Sequence, residues 1–213
     1  MLEDIKAVNA YRADKGARQK FSVSDAEFIV LNHLANRLPE GASILEVGSY
    51  KFASTLAFIE ALESREDLRL TTIDPAYKNL GLLDTLSDSV QARIKVITGP
   101  SQKHMPRLTE KFDLIFVDGD HVYEAVDEDL YQAKRLRKEG GTIAAHDVEW
   151  RYVGRAWTEK FPVDSYAFSD DPWAKPVRLG QGHREHGKRG VAVHPVPLWL
   201  TADYWEQVRD RTG

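Results

Sequence analysis

Five short apolar runs recur along the first two thirds of the chain: "ASILEVG", "LRLTTID", "RIKVITG", "FDLIFVDG" and "GTIAAHD". Each is nearly continuous in apolar and β-branched residues, the pattern of a strand buried on both faces. The stretches between them are long enough for crossover helices. The clearest is "YEAVDEDLYQAKRLRKEGG", where Val122, Val126, Leu130 and Ala133 recur at helical spacing. Acidic residues crowd its first half, and basic residues lead to a stop at Gly140-Gly141. Upstream, Ser24-Asp25-Ala26-Glu27 has the form of a capping box, predicting a helix that buries Phe28, Leu31 and Leu34. Towards the C-terminus, "VDSYAF" and "GVAVHPV" predict two further strands, joined by a polar loop as an antiparallel edge pair. The pattern implies an α/β fold: a doubly wound, mostly parallel sheet of about seven strands with right-handed crossovers. One domain is expected over residues 1–213. Residues 1–40 form a helical segment, 41–150 a ligand-binding core, and 151–213 the sheet edge and a helix.

Composition narrows the function classes. The chain has 213 residues, of which 42% are hydrophobic, enough for a well-packed core. A net charge of −4 steers it neither to nucleic acid nor to an anionic membrane. It has no cysteine, so disulfides, thiolate ligands and a thiol nucleophile are excluded. No signal-peptide core or membrane-length apolar run is present, and a cytoplasmic protein is expected.

Ligands of open parallel sheets bind beyond the carboxyl ends of the strands, so the residues following each strand are the informative ones. After the first come Gly48 and a turn into a helix, whose free N–H groups suit a carboxylate or phosphate. After the second comes Asp74, 26 residues beyond Gly48, placed to accept from both hydroxyls of a ribose. The alternative makes Asp74 a turn former before Pro75. A pyrophosphate needs further glycines for close approach, and Phe52 stands where one is required. That disfavours NAD or FAD. S-adenosylmethionine, an adenosine ligand with an amino-acid end and no phosphate, could accept the bulkier loop.

The segment "LEVGSYKFAS" resembles the first motif of class I methyltransferases, especially the catechol and caffeoyl-CoA O-methyltransferase type. In that type a Glu-x-Gly-x-Tyr-x-Gly-x-Ser pattern holds the methionine end of the cofactor. Glu46, Gly48, Tyr50 and Ser54 match it, while Phe52 replaces the second glycine. "ITGPSQKHMPRL" is similar to the family's Gly-x-Ser-Gln segment beside the adenine, which carries the role over to Ser101 and Gln102; the alternative is a helix N-cap with an exposed neighbour. The resemblance spans about residues 25–150 and implies a Rossmann-like methyltransferase fold, S-adenosyl-L-methionine as cofactor and a small-molecule acceptor. The family often forms dimers, and the N-terminal segment could serve a homodimer or a lid.

The fourth and fifth strands end in "FVDGDH" and "AAHDV". The family holds a divalent metal there, with one acidic residue on the fourth strand and an acidic-amide pair on the fifth. Asp118 matches the first, and His146-Asp147 replaces the pair. Mg²⁺ prefers oxygen ligands, whereas imidazole suits Mn²⁺, Fe²⁺ or Zn²⁺. "DGDH" followed by "HD" also resembles a bacterial branch of small-molecule methyltransferases. The structural alternative is a turn-capping Asp118 and a core His146. His121, three residues past Asp118, stands where the related catechol enzymes carry a lysine, which implies a general base. It could instead cap the next helix or hydrogen-bond Asp120. Asp118 borders both cofactor and acceptor. Trp150, Trp157 and Trp173 could line an acceptor pocket, though buried packing explains aromatic residues more often; residues 180–190 read as a solvated connection ahead of a lid, and "DEDL" has the form of a solvated helix start. The expected activity is methyl transfer to a hydroxyl oxygen assisted by a divalent metal, Mg²⁺ or Mn²⁺. The rivals are a catalytically silent S-adenosylmethionine-binding module, a nicotinamide-dependent oxidoreductase and a metal-dependent hydrolase.

Overall fold

A computed structural model describes residues 5–15, 23–77, 80–161, 166–169, 177–178, 190–200 and 204. Five parallel strands, β1 (Ser43–Val47), β2 (Arg69–Asp74), β3 (Ile94–Thr98), β4 (Phe112–Val117) and β5 (Arg137–Ala145), form the centre. β8 (Gly190–His194) adds to β5 antiparallel, followed by β6 (Tyr166–Ser169) and the two-residue β7 (Val177–Arg178). The order β3-β2-β1-β4-β5-β8-β6-β7 makes eight strands among the described residues, against the expected seven or so, the extra one being β7 at the far edge. The order reverses between β1 and β4, the switch point at which such sheets bind ligands.

Alternate residues of each central strand feed opposite layers. On one side Ile44, Leu114 and Phe116 pack under α2 (Asp25–Asn36) and α3 (Thr55–Ser64), with Phe28, Leu31 and Phe58. On the other, Leu45, Val47, Ile115, Val117 and Ile143 meet α6 (Tyr123–Leu136) and α7 (Arg151–Lys160) through Val126, Leu130 and Trp157. Both faces being covered is why the strands read as continuous apolar runs. Each fully buried large side chain contributes roughly 1.5–3 kcal/mol.

The capping box forms: Ser24 Oγ accepts from Glu27 N, and Glu27 Oε2 accepts from Ser24 N at 2.7 Å. α1 (Ile5–Asp14) docks beside it. Arg12 donates to Val23 O at 3.0 Å and pairs with Asp25, while Tyr11 and Lys15 reach Glu63 of α3. The described part of the N-terminal segment therefore packs on its own domain.

Two sequence expectations shift along α6. The helix ends at Leu136, before the glycine pair, because β5 starts with a bulge between the pairs Phe112–Arg137 and Leu114–Thr142. Gly140 supplies the positive φ (+75°) inside that bulge. Val122 is the N-cap residue and is exposed, so Val126, Leu130, Ala133 and Leu136 make the buried stripe. No helix among the described residues is long and apolar enough to cross a membrane.

Candidate active site

The ends of β1, β4 and β5 are tied in sequence by backbone hydrogen bonds. Gly48 N donates to Ile73 O (2.8 Å), Asp118 N to Val47 O (2.7 Å) and His146 N to Val117 O (3.0 Å). Each first residue past a strand is thereby fixed by the ladder that precedes it. Gly48 has φ +84°, and a Cβ there would lie 2.0 Å from the Asp118 carbonyl oxygen. The one glycine of the turn is required by this crossing of the β1 and β4 ends. Two further left-handed positions follow without glycine, at Tyr50 (φ +38°) and Phe52 (φ +65°). Phe52 turns its ring into the core, fully buried with its centroid 5.7 Å from that of Tyr77. It does not obstruct the cavity above the turn.

That cavity, about 510 Å³, is lined by Gly48, Tyr50, Asp74, Ser101, Gln102, Asp118, His121 and Asp147, among others. Six of the eight expected cofactor residues therefore share one space. Glu46 and Ser54 do not. The Glu46 carboxylate is fully buried and accepts from Ser54 Oγ (2.7 Å), Thr55 Oγ1 (2.8 Å) and Thr72 Oγ1 (2.8 Å). It ties β1 to the start of α3 and to β2 rather than facing a ligand. Burial outweighs the three hydroxyls and pushes it up to about 7.

Asp74 accepts from three backbone amides: Ser49 N (3.0 Å) and Tyr50 N (2.7 Å) at Oδ2, and Ala76 N (2.7 Å) at Oδ1. A carboxylate offers about four acceptor positions. The geometry thus leaves room for about one ribose hydroxyl, not the two expected. Asp74 is a turn former that also lines the cavity. Ser101 opens the four-residue helix α5 (Ser101–His104). Behind it, on α6, lies Asp129, buried and pushed up to about 6 by that burial against an opposing Ser101 hydrogen bond. Asp129 corrects the reading of "DEDL" as a solvated start, although Asp127 does pair outward with Lys160 at 2.6 Å.

At the other end of the cavity, Asp118, His121 and Asp147 bring one ligand-type atom each within 4.8 Å of the others. His121 Nε2 lies 2.8 Å from Asp147 Oδ2, and that bond holds the imidazole above its ordinary range. Its backbone N also donates to Asp120 Oδ1 at 2.6 Å, so His121 is fixed by both neighbours. Asp147 takes a left-handed φ of +54°, the strained step that turns its side chain back to the site. Its burial would raise the carboxyl, but His121 and His146 outweigh it and the pKa falls. Burial holds Asp118 above the carboxylate range despite His146.

His146 is 1% exposed. Its Nδ1 lies 3.3 Å from both Asp118 Oδ1 and Asp147 Oδ2, and its Nε2 lies 3.3 Å from Glu27 Oε1 on α2. Neither nitrogen completes a well-aligned hydrogen bond. Burial alone would lower its pKa, yet attraction by Asp118, Asp147 and Glu27 raises it. A bare Nδ1 lone pair facing two carboxylate oxygens would be repelled, so a proton or a cation belongs between them. The sequence reading paired Asp118 with His146 and Asp147; the structure adds His121 to them and Glu27 beneath.

Of the tryptophans, Trp150 is 56% exposed with its ring 5.3 Å from His121, at the mouth of the site. Trp157 is core, stacked 4.5 Å from Phe161, because it lies on the inward face of α7. Trp173 and nearly all of the 180–190 loop lie outside the described residues.

Residues 45–148 match a family described as "Methyltransferase domain". The chain is similar to the O-methyltransferase hkm8 of Aspergillus hancockii, 33% identical over 118 residues, which are 53% of this chain and 46% of that protein. The chain thus spans less than half the length of that relative. By fold it is similar to cofactor-bound Rv0187 from MTB (TM-score 0.64, 22% identity, 91% of this chain and 90% of the other). It is also similar to the O-methyltransferase TomG of Streptomyces achromogenes, solved with SAM (TM-score 0.60, 18% identity, 90% and 89%). At these identities the two likenesses speak for the fold alone. Strand order, a cavity at the reversal of that order and the matched segment converge: residues 45–148 match a methyltransferase domain, and the chain has the fold of that class.

Proposed function

We propose that this chain transfers the methyl group of S-adenosylmethionine to a hydroxyl oxygen of a small-molecule acceptor. The observation that carries the reading is one cavity with two chemically different ends. Asp74, Ser101 and Gln102 stand at one end, and Asp118, His121 and Asp147 at the other. The first set suits a nucleoside with an amino-acid tail: a carboxylate for ribose, a hydroxyl and an amide for adenine. Gly48 and Tyr50, in the turn after β1, line the same space and suit its amino-acid end.

The second set suits a divalent metal. Asp118 and Asp147 face the Nδ1 of His146 at 3.3 Å each, with His121 bonded to Asp147 beside them. A mixed oxygen and nitrogen set favours Mn²⁺ over Mg²⁺. A metal held there by Asp118, Asp147 and imidazole would supply charge that lowers the pKa of the acceptor hydroxyl. The chain's residues do the rest. Tyr50 lines the cavity, Trp150 packs beside His121, and the walls would hold the acceptor oxygen in line with the sulfonium methyl. His121, bonded to Asp147 through Nε2, keeps Nδ1 to receive the acceptor's proton. The sulfur–methyl bond breaks as the oxygen–methyl bond forms, and S-adenosylhomocysteine leaves.

The test is incubation of the protein with methyl-labelled S-adenosylmethionine and a set of phenolic, sugar and other hydroxylated acceptors, with Mg²⁺, Mn²⁺ and chelator varied. Metal-dependent label in an acceptor supports the reading. Tight cofactor binding with no label in any acceptor would favour the silent binding module.

A further inference from the structure

The capping box of α2 has a second side. One oxygen of Glu27, Oε2, completes the cap on Ser24 N, a task that glutamine performs equally well. The other, Oε1, has no place in the cap. It is buried and aims at His146 Nε2 from 3.3 Å, across 119 residues of sequence. On the far side of the same ring, Nδ1 faces the gap between Asp118 and Asp147.

We propose that Glu27 is a positioning residue for the candidate metal site: it takes the Nε2 proton of His146 and so presents the Nδ1 lone pair to the ion. This rests on the metal-assisted reading given above. Metal-bound histidines commonly donate their other N–H to a carboxylate, which fixes both the tautomer and the ring orientation. The arrangement here places the same groups, with Glu27 3.3 Å from Nε2 and the Asp118/Asp147 pair 3.3 Å from Nδ1. The N-cap of α2 and the site at the ends of β4 and β5 are thereby held by one side chain.

Glu27→Gln separates the two jobs. Ser24 N still needs an acceptor, so the amide carbonyl turns to it and the amide NH₂ faces His146 Nε2. A donor opposite Nε2 forces the ring proton onto Nδ1, where it blocks the ion. The cap survives and the tautomer is wrong. Mn²⁺ affinity of purified protein, read by calorimetry and by the electron paramagnetic resonance of free Mn²⁺, should weaken by roughly 10–100-fold. Ser24→Ala breaks the cap and leaves the Glu27–His146 contact, so it should keep wild-type Mn²⁺ affinity. Melting of the metal-free variants reports folding separately.

Weakened Mn²⁺ binding in Glu27→Gln alone supports the assignment. Wild-type affinity in Glu27→Gln overturns it, as does equal weakening in both variants, which would make Glu27 a helix cap only. A wild-type protein that binds S-adenosylhomocysteine but no Mn²⁺ overturns the metal reading itself, and this assignment with it.

Discussion

Replacing Glu46 by glutamine should remove a pH dependence of stability whose size follows from the structure. Among the described residues Glu46 has no cationic partner; three hydroxyls donate to it, and it is fully buried. Burial raises it from 4.5 to about 7 in the folded chain, whereas the unfolded chain returns it to the ordinary value. A raised carboxyl binds its proton more tightly when folded. Its contribution is therefore fully present below the unfolded value of 4.5 and is lost as pH rises through about 7. The full loss is on the order of 3 kcal/mol, since each unit is worth about 1.4 kcal/mol; roughly 2.5 of it falls between pH 5 and 8. Other groups titrate in that window, including Asp129 at about 6. The informative quantity is thus the difference between wild type and Glu46→Gln at each pH. Urea titrations at pH 5, 6, 7 and 8 would measure it. The gap should move by about 2–3 kcal/mol in favour of the variant as pH rises. Parallel curves for the two proteins would refute the claim that Glu46 titrates high in the fold.

S-adenosylhomocysteine at about 100 times its Kd should add about 2.7 kcal/mol, raising the melting temperature by roughly 5–10 °C. Asp74→Ala should shrink that shift, and a shift from NAD with none from S-adenosylhomocysteine would contradict the cofactor assignment. His121→Ala should lower kcat by roughly 10²–10⁴ with S-adenosylhomocysteine affinity retained; an unchanged kcat, with chemistry limiting turnover, would exclude it as the base. Phe52→Gly relieves a left-handed residue by about 1–2 kcal/mol but removes a buried ring worth about 3–5, so chemical denaturation should register a net loss of roughly 2–3 kcal/mol. A gain in stability would mean that the ring contributes little to the core.

The parallel centre of the sheet was legible because strands covered on both faces have no polar face to interrupt their apolar runs. The end of α6 was not. Gly140-Gly141 has the look of a helix stop, but Gly140 serves a bulge in β5, and only the pairing of Phe112 with Arg137 reveals that. Phe52 misled in the other direction. A bulky residue at a glycine position suggested an obstructed loop, yet the backbone keeps its left-handed turn and the ring leaves the cavity for the core. Residue type reported the strain at Phe52 but not the direction of the side chain.

The site was readable where strand ends carry it and unreadable where helices do. Asp118, His146 and Asp147 follow directly on β4 and β5, so a strand assignment brings them together. Glu27 and Asp129 reach the same region from helix faces, and their own segments already explain them as a capping residue and a polar helix start. Each satisfies a local rule, so nothing in its segment signals a second task. Only burial does: Glu27 and Asp129 are carboxyls with almost no exposed surface, and the cost of burying them has to be offset by a partner. For Glu27 that partner is a histidine held between two carboxylates. Its Nε2 lies 3.3 Å from Glu27 Oε1, and its Nδ1 lies 3.3 Å from both Asp118 and Asp147. Imidazoles thus face all three acids, Glu27, Asp118 and Asp147, which converge at the end of a parallel sheet without a lysine or arginine among the residues that form the cluster.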